Sequence, residues 1–451
     1  MYITLFDTSS TIIAPATASG GAVMVIRISG SRAIEIADRM FRGRRTLADA
    51  EGYTLHYGRI VNEAGSIVDD VVVALFRAPH SYTGDDTVEI TIHGSDYITS
   101  EVMRLAISYG AKMATAGEFT RRAFISGKMD LSRAEAVADV IASDSRWSYE
   151  VAATQMRGSY SDRLADLRGE LLRLCSLLEL ELDFSEEDVE FADRNELSTI
   201  LDRVDGEITT LLSSFSVGNA LKNGVSVAIV GEPNVGKSTL LNTLIGDDCA
   251  MVSDVAGTTR DTIEATTIID GVRFRFIDTA GLRDTTDMLE QMGIERTKST
   301  ISKAHIILHL CTVDNPTFEH IAFRDNQYYI KVINKIDTLT STDNLIKDSA
   351  IRISAKSGFG VDKLKAQSRS TIDTSMLSSG GVVVSNMRHY STLSDAKSAL
   401  CDARRAMNNN TPIDLLSEDV RRILHHLGEI TGEVTSDDIL HSIFSNFCIG
   451  K

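Results

Sequence analysis

The chain has 451 residues, 43% of them hydrophobic and 24% charged, and a net charge of −17. That length and composition suit about two to four cored domains, and no apolar run approaches the length of a bilayer span. The acidic surplus repels polyanions, so a nucleic-acid partner requires a local basic patch.

The opening stretch "MYITLFDTSSTIIAPATASGG" holds Asp7 and no Lys or Arg, so it reads as neither a secretory signal nor an Arg-rich transit peptide. An α/β segment follows. "GGAVMVIRISG", "DDVVVALFRAP" and "DTVEITIHGS" read as strands, and "YITSEVMRLAISYG" as a helix. No proline occurs between Pro79 and Pro233, and residues 119–222 read as long helices: "SRAEAVADVIASDSRWSYEVAATQM", "YSDRLADLRGELLRLCSLLELEL" and "RNELSTILDRVDGEITTLLSSF". Leu164, Leu167, Leu171, Leu174, Leu178 and Leu182 recur at three- and four-residue steps, one apolar helix face whose plainest role is core packing. After Gly224 the texture alternates strand and helix as far as residue 377. "SSGG" then reads as a short linker, and the chain returns to helix through "HYSTLSDAKSALCDARRAM", "IDLLSEDVRRILHHLGEIT" and "SDDILHSIFSNF". The simplest arrangement is an α/β domain inserted into a helical domain whose two halves pair. The expected boundaries are 1–118, 119–222, 223–377 and 378–451. The five scattered cysteines, Cys175, Cys249, Cys311, Cys401 and Cys448, form no CxxC pair. They predict reduced thiols in a cytoplasmic protein and no zinc site.

The inserted segment carries four nucleotide motifs in order. "GEPNVGKST" follows a strand and opens the helix "STLLNTLIG", which is the context a phosphate loop requires. Backbone N–H groups from Asn234 to Thr239, with Val235 and Gly236 among them, would cradle phosphate oxygens. Lys237 would reach the outer phosphates, and the Ser238 hydroxyl would ligate magnesium. "FRFIDTAG" places Asp278 to hold magnesium through water. Thr279, Ala280 and Gly281 follow, with the Gly281 N–H facing the terminal phosphate. "VINKID" supplies Asn334, Lys335 and Asp337. A carboxylate there accepts the N1 and N2 hydrogens of guanine, a pattern adenine cannot offer. "RISAKSG" supplies Ser354, Ala355 and Lys356, with the Ala355 N–H expected to meet guanine O6. All four lie at C-terminal strand edges, where open α/β sheets bind ligands. Asp270-Gly271 marks a hairpin turn, so an antiparallel edge strand is expected in a Ras-like sheet. In "SDVAGTTRDT", Thr259 would complete the magnesium shell. Leu282 stands where Ras-like enzymes place a water-orienting Gln. No arginine finger is evident, although Arg260 and Arg283 lie nearby, so another positive charge is required.

The tail "FCIGK" is a poor prenylation box, because Gly450 fills an aliphatic slot and Lys451 the last one. Apolar residues at Ile439, Leu440, Ile443, Phe444 and Phe447 predict a packed helix that carries this tail. Cys448 is then either a packed thiol or a participant in chemistry.

"RISG", "SYTGDDTVE", "GEFTRRAF", "GKMDLSRAEAVADVI", "GTTRD", "DTAGLR", "MGIER" and "GEVTSDDILHSIFSNFCIGK" together resemble the MnmE (TrmE) family of tRNA-modifying GTPases over nearly the whole chain. "ASGG", "HGSD" and "TAGEFT" depart from the family's commoner forms, the first two around the folate pocket. The resemblance implies G domains that dimerise and a potassium ion in place of an arginine finger. It places that ion at Asn234, Ser253, Val255 and Thr258, and makes Ser253, Thr258 and Thr259 part of the GTP site. It gives Glu290 the role of orienting the attacking water and ties Cys448 to the modification step. It implies an N-terminal folate-binding and dimerisation domain, with Arg27, Glu89, Lys128 and Lys451 contacting the ligand. The implied function is a homodimeric, potassium- and magnesium-dependent GTPase. With an FAD-dependent MnmG-type partner, in a heterotetramer or larger, it would modify C5 of wobble uridines in certain tRNAs. The one-carbon donor would be 5-formyl- or 5,10-methylene-tetrahydrofolate, with glycine or ammonia as the nitrogen source. One alternative is a switch GTPase, for example in ribosome assembly, without modification chemistry. Another is a folate-dependent transferase with a vestigial GTPase. No membrane role is expected. For RNA contact the basic pairs to test first are Arg121, Arg122, Arg404, Arg405, Arg421 and Arg422.

Overall fold

The computed structural model describes residues 9–183, 194–246, 265–277, 298–318, 320–338, 350–378, 380–409, 411–445 and 447–450. The chain folds as two units. One comprises Met1–Ala138, Ser161–Gly169 and Leu424–Lys451, and the other Asp139–Tyr160 and Glu170–Ile423. Among the described residues no helix is long and apolar enough to cross a membrane.

The first unit holds β1 (Ile12–Pro15), β2 (Val23–Ser29), α1 (Ala33–Met40), β3 (Phe41–Gly43), β4 (Thr54–Val61), β5 (Ile67–Phe76), β6 (Thr87–His93), α2 (Asp96–Ser108), β7 (Lys112–Met113) and α3 (Glu118–Ile125). The strands form one sheet in the order β3-β4-β5-β6-β2-β1-β7. The period-two pattern explains it. Met24, Ile26 and Ile28 of β2 are buried on one face with Val88, Ile90 and Ile92 of β6, while Val25, Arg27 and Glu89 point to the other. Helix α1 places Ile36, Ala37 and Met40 in the same core. Four strands and α1 were not among the expected elements. β4 could have been read from the alternation in "TLHYGRIV", whereas β1, β3 and β7 are too short to carry a period.

Helices α4 (Leu131–Ala142), α5 (Arg146–Met156), α6 (Ser159–Asp183) and α7 (Arg194–Asn223) follow. The segment 132–156, expected as one helix, is two. Ser145 is extended, its hydroxyl accepts the Ser148 N–H, and the Ser148 hydroxyl returns to the Ser145 N–H, a reciprocal cap that starts α5 afresh. The leucine face of α6 is buried from Leu164 through Leu178.

The second unit contains a six-stranded sheet in the order β13-β12-β11-β8-β10-β9. Its elements are β8 (Val225–Val230), α8 (Lys237–Ile245), β9 (Ala265–Ile269), β10 (Val272–Phe276), β11 (Ile306–Thr312), β12 (Tyr328–Asn334), β13 (Ile351–Arg352), α9 (Val361–Ser370) and α10 (Ser375–Ser378). All neighbours are parallel except β9, the antiparallel edge strand expected from Asp270-Gly271. Both turn residues sit at positive φ, 47° and 75°, the two-residue hairpin geometry that suits the twist of the strands. Helix α11 (Met387–Asn408) packs along α7, with Lys397 paired to Asp205 and Arg404 to Asp202 and Asp205. Helices α12 (Ile413–Thr431) and α13 (Asp437–Ser445) complete the chain. In the first unit, Leu440 and Phe444 of α13 and then Phe447 pack on Leu131 and Ala134.

Candidate functional site

In the second unit the loop from Gly231 to Gly236 links β8 to α8 and bends through three positive-φ residues: Gly231 (144°), Asn234 (66°) and Gly236 (95°). A Cβ on Gly231 would overlap the Leu310 carbonyl, and one on Gly236 would overlap the Asn334 amide, so both glycines are required by close approach. The Lys237 ammonium donates to the Gly231 and Glu232 carbonyls, each at 2.8 Å, and burial lowers its pKa. It therefore waits at the loop it would leave to meet phosphate. Among the described residues the Asn234 amide and the exposed Ser238 hydroxyl have no hydrogen-bond partner, which fits oxygen donors kept for cations.

Asn334 ends β12 and is 2% exposed. Its Nδ2 donates to the Val235 carbonyl at 2.8 Å, and its Oδ1 accepts the Ala355 N–H at 2.9 Å. The Thr243 hydroxyl of α8 donates to the Ala355 carbonyl at 2.7 Å. One side chain thus ties the phosphate loop to the base-side loop. The Ala355 N–H, expected to meet guanine O6, is here given to Asn334, so a ligand oxygen at that N–H would have to share or replace the bond. Asp337 lies exposed in a single 3-10 turn, Ile336–Thr338. A hydrogen bond from the Ser354 hydroxyl is the main cause that holds its carboxyl below the usual range, aided by Lys356 and Lys335. It is an ionised acceptor at neutral pH, as guanine recognition needs. Lys335 (φ 61°) and Lys356 flank it. Ser253, Val255, Thr258, Thr259, Asp278, Thr279, Ala280, Gly281 and Glu290 lie outside the described residues.

In the first unit Arg27 and Glu89 face each other across β2 and β6. Arg27 Nε donates to Glu89 Oε1 at 2.8 Å, and the pair is partly buried, with side chains 19% and 27% exposed. The guanidinium lies over the Tyr82 ring at 5.4 Å and the Phe119 ring at 5.5 Å. The Tyr82 hydroxyl is hydrogen-bonded to Thr120 at 2.9 Å, and burial raises its pKa. Lys128 is exposed, with its Cε about 3.5 Å from where a Gly84 Cβ would lie. A carboxylate and guanidinium on a floor of aromatic rings suit a flat, hydrogen-bonding heterocycle with an anionic tail.

The tail reaches this site. Ile449 bridges antiparallel to Ala116, the Gly117 N–H donates to the Cys448 carbonyl at 3.4 Å, and Arg27 Nη1 donates to the Gly450 carbonyl at 3.5 Å. Gly450 has φ 99°, and a Cβ there would overlap the Pro15 carbonyl. It is a close-packed turn. Cys448 is exposed, which corrects the reading of a packed thiol. Past α13 the Phe447 N–H turns back to the Phe444 carbonyl at 3.1 Å, and Phe447 is buried while Cys448 is left exposed. Lys451 lies outside the described residues.

The sequence profile of the MnmE helical domain matches residues 131–448, and that of the GTP-binding protein TrmE N-terminus matches residues 11–128. The "tRNA modification GTPase MnmE" of Flavobacterium psychrophilum is 45% identical, over 98% of this chain and 99% of its own length. The proteins of the same name from Bacteroides fragilis (46%, over 98% and 99%) and Parabacteroides distasonis (47%, over 98% and 100%) are equally similar. The chain belongs to the MnmE family of tRNA modification GTPases. Tyr82, Phe119 and Thr120 of this MnmE-family chain went unassigned from sequence, although the first lies in "SYTGDDTVE" and the others in "GEFTRRAF". The signal was an aromatic residue embedded in a polar motif, which needs a partner to make sense of it.

The basic pairs named for RNA contact all stand beside carboxylates. Arg122 is 3% exposed and bound to Glu118 at 2.9 Å, with Arg121 3.9 Å from the same carboxylate. Arg404 pairs with Asp202 and Asp205, Arg405 with Asp402, Arg421 with Glu179, and Arg422 with Asp402 and Asp419. Each of these cations is locally compensated.

Proposed function

We propose that this MnmE-family GTPase is a cytoplasmic homodimer that hydrolyses GTP in a potassium-dependent cycle. With an FAD-dependent MnmG-type partner, it installs a (carboxymethyl)aminomethyl group at C5 of the wobble uridine of certain tRNAs. The domains are 1–118 for folate and dimerisation, 119–222 and 378–451 for the helical domain, and 223–377 for the GTPase. The observation that carries this reading is the Arg27–Glu89 pair touched by the Gly450 carbonyl. A chain end held against a guanidinium–carboxylate pair over two aromatic rings has no use in a plain switch GTPase.

In the GTPase, the phosphate-loop N–H groups from Asn234 to Thr239 hold the phosphates, and Lys237 moves from its two carbonyls to the outer oxygens. Asp337 accepts from the guanine edge while Asn334 keeps the two loops in register. Glu290 orients the attacking water. Magnesium, with Ser238 and Thr259 as its protein ligands, would neutralise the β and γ phosphates. Potassium, with Asn234, Ser253, Val255 and Thr258 around it, would supply the positive charge that an arginine finger gives elsewhere. In the other unit Glu89 accepts from the pterin edge, and Arg27, Lys128 and Lys451 meet the anionic tail. The tetrahydrofolate would supply the one-carbon unit, and Cys448, exposed beside it, takes part in the modification. The deciding experiment is GTP turnover in potassium against sodium, with and without tRNA and the flavoprotein. Equal rates in the two salts would sink the cation reading, and a normal cycle without tRNA modification would favour the switch alternative.

A further inference from the structure

A second polar crevice, about 500 Å³, lies in the unit that holds the nucleotide site but at the opposite edge of the sheet, near the starts of β8 and β11. Two turns build its cationic side. Gln327 Nε2 donates to the Ile301 and Ala304 carbonyls at 2.6 Å each, and its Oε1 accepts the Arg324 N–H at 2.8 Å. The Ser226 hydroxyl donates to the Lys303 carbonyl at 3.0 Å, and the His305 N–H donates to the Ser226 carbonyl at 2.8 Å. The backbones that carry Lys303, His305 and Arg324 are therefore fixed beside one another. No carboxylate lines the crevice among the described residues, and neither Lys303 nor Arg324 forms an ion pair there. The His305 Nε2 is buried without a hydrogen-bond partner among the described residues. On the helical wall Tyr390, 36% exposed, lies against Phe215 with ring centroids 4.4 Å apart and planes tilted by 31°.

A chain of net charge −17 that compensates its six paired arginines, yet lines one crevice with two cations unpaired among the described residues and an aromatic ring, marks this crevice for a polyanion with flat bases. We propose that it binds the phosphate backbone of the RNA substrate, with Lys303 and Arg324 on phosphate oxygens and Tyr390 offering a stacking surface. This rests on the tRNA reading above. Phosphate contacts position an RNA without reading its sequence, so the crevice would serve every tRNA alike.

The test uses the full chain, unfractionated tRNA as probe, and K303E/R324E beside K363E/K365E, a charge-matched pair on α9 outside the crevice. Fluorescence anisotropy across a salt series should show K303E/R324E weakened about tenfold or more. The slope of log affinity against log salt should be less negative by about 1.5 to 2, as for two lost phosphate contacts. K363E/K365E should lose much less, K303R/R324K should recover, and basal GTP hydrolysis should not change. Equal losses in the two charge-reversed pairs would reveal a bulk charge effect and overturn the proposal, as would unchanged affinity in K303E/R324E. Inorganic pyrophosphate that binds wild type but not K303E/R324E, with tRNA affinity intact, would assign the crevice to free phosphates and overturn it too. Wild-type protein that binds no tRNA refutes the substrate reading as well. Binding that survives the double substitution refutes this one alone.

Discussion

Asn334→Ala separates architecture from base recognition at the nucleotide site. The side chain is 2% exposed and satisfies two backbone groups of residues that are themselves buried, the Val235 carbonyl (residue 4% exposed) and the Ala355 N–H (3%). Each group left buried and unpaired costs roughly 1–3 kcal/mol, so the truncation should destabilise the GTPase fold by on the order of 2–6 kcal/mol before any nucleotide is added. The loss should be local, so the assay is amide exchange in the nucleotide-free protein, read at Ala355 and along the 231–238 loop. Exchange at Ala355 should accelerate by about 30-fold or more, since about 1.4 kcal/mol is tenfold. Asn334→Asp keeps an acceptor for Ala355 but sets a carboxylate against the Val235 carbonyl, so loop protection should fall while Ala355 protection is partly kept. Asp337→Asn is the contrast. Asp337 is exposed, so this change should leave exchange untouched and shift base preference from guanine to xanthine, because an acceptor becomes a donor at the N2 edge. Unchanged protection in nucleotide-free Asn334→Ala would show that Asn334 acts only through the base.

Asn234→Ala should flatten the potassium-over-sodium ratio of GTP turnover while nucleotide affinity stays near normal, measured by steady-state rates and nucleotide titration. Glu290→Ala should lower kcat by about 100-fold with little change in affinity, as for a group that acts in the transition state. An unchanged turnover number would show the wrong glutamate was assigned. Deletion of Cys448–Lys451 should abolish tRNA modification and weaken folate binding, read by nucleoside mass spectrometry and ligand fluorescence, yet leave potassium-stimulated hydrolysis largely intact. Burial pushes the Cys175 thiol up to about 11 from 9.0, so it should resist alkylation at pH 8 while exposed Cys401 and Cys448 label quickly. Its pKa is higher folded than unfolded. The neutral thiol therefore favours the fold below about pH 9, and that contribution is lost as pH rises toward 11, measurable as a falling melting temperature.

The nucleotide site was legible because its chemistry dictates residue types at strand ends, and strand ends are found by pattern. The hairpin was legible for the same reason: Asp270-Gly271 is a turn by covalent geometry alone. The Arg27–Glu89 site was half legible. Arg27 and Glu89 alternate correctly on β2 and β6, but nothing local says that the strands pair at those residues, or that Tyr82 and Phe119 arrive beneath them. The pairing of the arginines was hidden for a related reason. Arg404 is compensated by Asp202, about two hundred residues away in sequence, and a charge count along the chain cannot see it. The break at Ser145 was hidden because apolar spacing on either side keeps helical period, while the cap that interrupts it rests on two hydroxyls three residues apart.

The inserted GTPase is held where the chain enters it, where it leaves, and at its hairpin tip. Helix α7 leads in, and the returning segment crosses it at Gly218, where a Cβ would overlap the Val384 carbonyl; the Val384 N–H is held by the Ser214 hydroxyl at 3.0 Å. An insertion whose two ends meet this closely adds little loop-closure cost to the helical pair α7–α11 that flanks it. At the tip the Trp147 N–H donates to the Gly271 carbonyl at 3.2 Å; beside it Arg273 pairs with Asp144 and donates to the Lys222 carbonyl at 3.4 Å, and Lys222 in turn holds Asp139 of α4 at 2.6 Å. The clasped hairpin β9–β10 lies in sequence between "SDVAGTTRDT" and "DTAG", the two segments that sense the terminal phosphate in the reading above. Any shift of β9 or β10 with nucleotide state therefore bears first on the Ser145 cap and the start of α5. The same cap that broke the expected long helix in two is what gives the hairpin a fixed helix end to press against.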